Sequence, residues 1–516
     1  YEQRFMGKVW SVGFRNILFY LYQRHFLKFQ SCTPVDISKT VEGVPQISCR
    51  TLKVGKFSQY FTKPDLKIIQ SHDLDFILRF GFNIIRGEIL TSARFGVWSF
   101  HHDDEQVIRG GPAGFWEIVL GKKVTGAILQ RLTDTLDAGV ILKKGFFKTN
   151  ETSYEANVDD IYLETAHWPA QVCQEVVNGK LPPTTPVVTR APLRRSPSNS
   201  QFLAFLARIT WNRVLKRLEH WFIRDRWSVG IVKAPIQKFL DPHFVPAIET
   251  IRHPKNSCYL ADPFGAVIDG KPAIFCEEYD HLQEKGWISR VDPNGKLQKI
   301  PLPLECHLSY PYLFENQGKQ YLVAESWNAK RVQLFEWNSR HQQWNEYATL
   351  LEGVGAIDNT VFFHKGLWWL FYTDSARHSN TNLFACFAKE LKGPWTPHAL
   401  NPIKTDIRSA RPAGTPFLHN GKLYRPAQDC SKTYGGSISL CEIMELTPEK
   451  FSEEKVSEVF PPYRGPFRHG VHTLSSLGEW TLIDGKVDTF LPKVFWKFVK
   501  GRLTDKGLLR PLPTAS

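Results

Sequence analysis

The sequence has no two cysteines at C-x-x-C spacing, no apolar run of about 18 residues, and no acidic side chain between residues 4 and 29. The first absence excludes the common zinc and dithiol redox motifs. Nine Cys stand at 32, 49, 173, 258, 276, 306, 386, 430 and 441, an odd number at irregular intervals. That pattern points to a reducing, cytoplasmic setting rather than a disulfide framework. The second absence excludes a spanning helix by length. The chain starts at Tyr1, so the lack of an amino-terminal signal carries no weight. The third leaves Arg4, Lys8, Arg15, Arg24 and Lys28 unopposed among aromatics.

What is present is a globular composition of 516 residues with a net charge of +14, enough for two or three domains. The surplus of positive charge favours an anionic partner. Residues 208–226 and 490–502 repeat the basic, aromatic mixture of residues 4–29, which suits contact with a membrane surface. The expected setting is cytoplasmic and peripheral to the membrane. Sixteen Trp and 36 Phe fill cores and are also suited to stacking on sugar rings.

Composition divides the chain. Residues 1–180 read as an α/β domain. Residues 181–200, with five Pro and no apolar period, read as a linker. Apolar positions Phe202, Leu206, Ile209, Leu218 and Phe222 predict an amphipathic helix over 201–226. Residues 227–488 are strand-rich, and 489–516 form a basic tail.

The strand-rich part repeats. Five segments share a strand, a turn ending in Gly and a second strand ending in acid, with turn glycines at Gly270, Gly318, Gly366, Gly421 and Gly478. A polar–Gly pair between apolar runs is a hairpin signal, and five hairpins predict an all-β five-bladed propeller. Eight residues before each glycine stand Asp262, Tyr310, Asp358, Ala413 and Gly470, expected to converge on the axis. After the glycines, Glu277 with Glu278, Glu325, Asp374, Asp429 and Asp484 form a column of acids, which could also bond backbone amides of the next blade. The segment 226–231 could close the ring by pairing with the last blade.

Within residues 65–180 the order Ser99-Phe100-His101, Arg109-Gly110-Gly111-Pro112, Val124-Thr125-Gly126 and Asp137-Ala138-Gly139 resembles the formyltransferase family. That family includes methionyl-tRNA, glycinamide-ribonucleotide and sugar-amine formyltransferases. The resemblance implies 10-formyltetrahydrofolate as cofactor, an amino-sugar acceptor, and His101, Asp137 and Ser99 as catalytic positions, with Arg109 binding substrate. An amine attacking a formyl carbon creates a negative oxygen that needs aimed donors, and a His whose charge and tautomer are fixed by a carboxylate. The family's Asn, two residues before the His, is Ser99 here, a shorter donor. Loss of one such donor is worth about a hundredfold in rate. The family's first strand and helix are not recognisable before residue 30. A third reading makes His101, His102, Asp103 and Asp104 metal ligands, but neighbours on a strand face opposite ways, and no metal is expected.

Asp262-Pro263-Phe264 and Asp358 resemble blade entries of the arabinanase and xylosidase glycosidases. The run ADPF, YLVAES, GLWWLFYTD and GKLY is closer to the propeller of plant glucosamine inositolphosphorylceramide transferases and their bacterial relatives. Inverting hydrolysis needs a base and an acid. The glycosidase acid is a fourth-blade Glu, where this chain has Pro412 beside Arg411. Arg411, Arg468 and His472 are expected to make the axis partly cationic, suited to a phosphate-bearing sugar donor. Substrate contacts are therefore expected at Asp262, Asp358, Glu325, Arg411 and His472. The partners implied are a nucleotide-sugar, an amino-sugar or a glycan, not nucleic acid. The whole reads as a transferase of polysaccharide or glycolipid biosynthesis. Its rival is a propeller glycosyltransferase or glycan-binding protein with an inactive formyltransferase domain.

Overall fold

The computed structural model describes residues 14–55, 57–135, 138–180, 182–292 and 295–505. The chain forms two compact units, residues 1–213 and 214–516, divided inside the helix Asn199–Phe222.

The first unit is α/β. Strand Ile77–Leu78 runs parallel to Val97–His101, which pairs antiparallel with Val124–Arg131, and that strand pairs with Val140–Lys148. Helices Tyr154–Thr165 and Trp168–Val177 lay Ile161, Trp168 and Val172 on Trp98, Leu129 and Phe147. Ser153 caps the first by accepting the Ala156 amide at 3.2 Å. Pro169 lies in the first turn of the second helix, where its missing N–H costs nothing. A second core joins Phe19, Phe115, Tyr154, Phe202, Phe205 and Ile209.

The apolar stretch from residue 66 belongs to the helix Lys63–Gln70. Pro64 lies in its first turn, and Asp65 accepts hydrogen bonds from Thr62 Oγ1 and the Arg50 amide. The proline-rich segment is not a free linker. Leu193–Arg194 pairs in parallel with Arg109–Gly110, and the Val187 amide donates to Gly139. A Cβ on Gly110 would lie 2.1 Å from the Arg194 carbonyl, and its φ is +110°, so this close pairing requires glycine. The connecting helix ends at Phe222, and a strand begins at Arg224.

In the second unit five antiparallel sheets form the blades: four are built of four consecutive strands, one of these with an extra short strand, and the fifth joins the two first strands of the unit to its two last. Four hairpins turn through Asp269-Gly270, Gln317-Gly318, Lys365-Gly366 and Asn420-Gly421, with positive φ at both residues. That is the type I′ geometry whose twist matches the flanking strands. In the fifth blade only Gly478 is positive, and it is the first turn residue, between Leu477 and Trp480. The amino-terminal strand Arg224–Val232 pairs along its whole length with Trp480–Thr489 and closes the ring between the two ends of the repeat array. Beyond it, Pro492–Asp505, expected only as a basic tail, contains a helix.

Candidate functional site at the propeller axis

The blade entries converge because each is a bulge. The ladder of the first blade slips between Ala261 and Phe264, that of the second between Ser309 and Tyr312, and that of the third between Ile357 and Thr360. At these slips Asp262, Tyr310 and Asp358 take φ of 50°, 41° and 52°. Positive φ is strained for side chains of this kind, and bulges re-aim the side chain that carries them. One repeated backbone device therefore points three side chains to a common place.

Cross-blade hydrogen bonds hold that place together. Asp484 of the fifth blade accepts the Asp262 amide at 2.8 Å, and Asp262 Oδ2 accepts the Tyr310 amide at 3.3 Å. Glu325 accepts the Asp358 amide at 2.8 Å. Thr473 Oγ1 donates to Asp262 Oδ1 at 2.8 Å. His472 Nε2 lies 3.6 Å from the same Asp262 oxygen, while its Nδ1 sits 2.7 and 2.8 Å from the two oxygens of Asp484. Trp227 stacks on the His472 ring at 3.7 Å, and Tyr434 meets it edge-on. Asp262, His472 and Asp484 are 6%, 2% and 0% exposed.

Next to this group, Arg411 donates through Nε to Asp358 Oδ2 at 2.5 Å and through Nη2 to Oδ1 at 3.3 Å. Its Nη1 donates to Asn380 at 2.9 Å, and Gln428 Nε2 donates to Asp358 Oδ2 at 2.8 Å. The Arg411 charge is thus matched by Asp358 rather than offered to a ligand. Arg468 is exposed, with its Nε 3.0 Å from His469 Nε2. The expected cationic axis is therefore an acidic one: Asp262, Asp358, Asp484, Glu277 and Glu325 meet Arg411 and His472. Burial first, then the neighbouring charges of Asp484 and Asp358, push Asp262 up to about 6 even against the pull of His472. Burial and Asp358 push Glu325 up to about 8, and burial raises Glu277 as well. For His472 burial opposes the charged form, but Asp484 and Asp262 outweigh it and raise its pKa.

The column of acids separates into two faces. Seven residues past the turn, Glu277, Glu325, Thr373 and Gln428 are all buried. One residue further, Glu278 accepts from Ser289 at 2.6 Å and Trp287 at 3.0 Å and lies 3.0 Å from His253 Nε2. Asp374 and Asp429 accept the local amides of Ala376 and Ser431. Adjacent strand positions face opposite sides, so the outer acids bond within their own neighbourhood and not the next blade. Asp484 belongs to neither set. Because Gly478 is the first turn residue, the ladder places Lys486 in the column of Glu277 and Val471 in that of Asp262. His472 and Thr473 come from a wider bulge between the bridge Gly470–Lys486 and the pair Leu474–Ile483. Among the described residues, Asp262, His472 and Asp484 are the group whose ligand atoms lie within 4.8 Å of one another, a spacing a cation can use. Their direct hydrogen bonds account for the cluster without one.

The first unit has its own cleft. Arg79, Ser99, His101, Gln130 and Thr133 line one part, and His101, Arg109, Gln130 and Thr189 the adjoining part. Ser99 Oγ is buried and accepts from Arg79 Nη1 at 3.0 Å, a contact the sequence did not suggest. Asp137, the expected carboxylate partner of His101, lies outside the described residues. The nearest described carboxylate is Asp103, 3.8 Å from His101 Nε2. The four residues 101–104 do not converge on a metal. His102 packs between Phe100 and Tyr162, where burial drives it down to about 3, and Asp104 bonds Lys144.

Comparison with known proteins follows this division. Residues 243–464 match the family model of the N-terminal part of glucosamine inositolphosphorylceramide transferase 1. Curated proteins of that name are 32% identical over 215 residues in Oryza sativa subsp. japonica and 30% identical over 210 residues in Arabidopsis thaliana. These matches cover 40% and 39% of this chain, which spans only 28% and 27% of those proteins. A methionyl-tRNA formyltransferase of Bacillus cytotoxicus is 28% identical over 157 residues, 30% of this chain and 48% of that protein. Among solved structures, an exo-β-1,3-galactanase from Clostridium thermocellum is 12% identical at a TM-score of 0.33, covering 40% of this chain and 54% of its own. That score is too low to support the propeller, which rests on its strand ladders.

Proposed function

We propose that the propeller is a transferase domain that moves a sugar onto a hydroxyl acceptor, with Asp262 as the base. The observation that carries this is the Asp262–His472–Asp484 group. A carboxylate pushed up to about 6 is matched to proton removal near neutral pH. Thr473 and the Tyr310 amide fix its direction, and His472, held by Asp484, supplies a neighbouring positive charge. Asp262 takes the acceptor proton as the hydroxyl oxygen bonds the anomeric carbon and the donor's leaving group departs with the electron pair. The fourth-blade entry has Arg411 and Pro412 in place of a carboxylic acid, and Arg411 is bound to Asp358, which argues against hydrolysis by a paired acid and base. The relatives' name supports a glucosamine donor and an inositolphosphorylceramide-like acceptor. Mass-spectrometric detection of product from nucleotide-sugars and inositol phospholipid acceptors tests the reading. Asp262→Asn is expected to lower turnover by about a thousandfold; an unchanged rate would refute the role.

A second reading concerns the first unit, favoured by Ser99, His101 and Arg109 lining one cleft. It assigns formyl transfer to an amino-sugar. The cleft residues suit the group: 10-formyltetrahydrofolate would bring the formyl carbon, His101 would accept the amine's proton, and Arg79 presents N–H donors beside Ser99. Release of tetrahydrofolate that His101→Ala abolishes would support it; no release with any amino-sugar would end it.

A further inference from the structure

The helix Asn199–Phe222 changes character along its length. In its first half the apolar side chains Phe202, Phe205 and Ile209 are buried in the core of the first unit. In its second half Val214, Leu215, Leu218, Trp221 and Phe222 continue the same spacing, yet each is at least 39% exposed. An apolar helix stripe in water is unfavourable and marks a surface that meets something.

The carboxy-terminal helix adds to this surface. Phe222 stacks on Phe495 at 5.1 Å and meets Phe490 at 6.0 Å, which joins the end of one helix to the start of the other. Around that joint Trp496 is 58% and Phe490 47% exposed. Lys216, Arg217, Lys493 and Lys500 are exposed in the same two segments, whose acids are Glu219 and Asp505. Two stretches far apart in sequence thus form one patch of Trp, Phe and Leu bordered by cations.

We propose that this patch lies on an anionic lipid bilayer, with its aromatic side chains at the headgroup level and its basic side chains on lipid phosphates and carboxylates. The combination separates this occupant from others. A soluble protein partner would need no belt of Trp with cations at its edge, whereas an anionic membrane interface uses both. Among the described residues no helix is long and apolar enough to cross a membrane, so the contact is with the surface. The inference stands on the patch alone and does not depend on the reaction at the axis.

The full chain is to be sedimented with phosphatidylcholine vesicles, with and without about a third phosphatidylserine. Binding to the anionic vesicles alone is expected. Arg217→Glu with Lys493→Glu should weaken it at least about 30-fold. Trp496→Ala should weaken it and reduce fluorescence quenching by brominated lipid, while Trp496→Phe keeps the binding. All positions are exposed, and an unchanged melting temperature will confirm that the variants fold. Absence of sedimentation, equal binding to neutral vesicles, or indifference to the charge reversals would overturn the proposal. So would self-association through the patch, which would assign it to a second copy.

Discussion

The axis of the propeller and the cleft of the first unit both assemble polar groups from several strands, but they hold them differently. At the axis Asp262, Asp358, Asp484 and Glu325 are each fixed by a neighbour from another blade or by a paired cation, and bulges repeated in three blades aim the entry side chains. In the cleft Ser99 accepts from Arg79 and donates to its neighbour's carbonyl, and Arg109 stands where the proline-rich segment pairs with Arg109–Gly110. Preorganisation is a property of redundant support. A site in which several blades fix the same few side chains is well placed to stabilise a transition state.

The largest effect is expected from loosening a blade without touching the axis. Glu453 is buried between Arg425, at 2.6 Å through two bonds, and Lys404 at 2.5 Å, and burial is outweighed by these cations, which hold it down at about 2. Glu453→Gln leaves a buried arginine without its charge partner and is expected to cost the propeller about 3–5 kcal/mol in denaturant unfolding. The corresponding test in the first unit is Gly110→Ala, which places a Cβ against the Arg194 carbonyl at positive φ. A loss of about 1–3 kcal/mol and faster proteolysis within 182–198 are expected, with transfer by the propeller unchanged.

A smaller effect sharpens the contrast through pH. Asp262 and Glu325 have folded values of about 6 and about 8 against ordinary values of 3.8 and 4.5. The folded state therefore favours their protonated forms. That stabilisation is complete below about pH 4 and disappears as pH rises through about 6 to 8. The melting temperature should fall across this window, and Glu325→Gln should flatten the fall. Activity should run the other way, rising through about pH 6 as Asp262 loses its proton.

The propeller was legible because its signals are repeated. A type I′ turn demands positive φ, so Gly recurs at four second turn positions, and the segment 226–231, which precedes the first full repeat, pairs with the last blade as expected. The register failed where one repeat departs from the others. Gly478 occupies the first turn position, so alignment on glycine assigned Gly470 to a column that the ladder gives to Val471, and it hid Thr473, which shares a wide bulge with the expected His472. Asp484, one residue out of line, was the available signal. The two acid faces were merged because a shift of one residue along a strand changes the side and not the residue type. Charge was misjudged at Arg411 because pairing with Asp358 is a contact between blades, invisible to either segment alone. In the first unit the order of motifs was readable, but the strand pairing at Arg109–Gly110 depends on a partner more than 80 residues away.

The central claim is that the chemistry of this chain resides in the Asp262–His472–Asp484 group. The most direct measurement compares glycosyl transfer by the full chain with that by Asp262→Asn and by His101→Ala, using mass-spectrometric detection of product. Asp262→Asn is expected to lose about three orders of magnitude, while His101→Ala stays within about twofold of the parent. Full transfer by Asp262→Asn, together with its loss in His101→Ala, would contradict it.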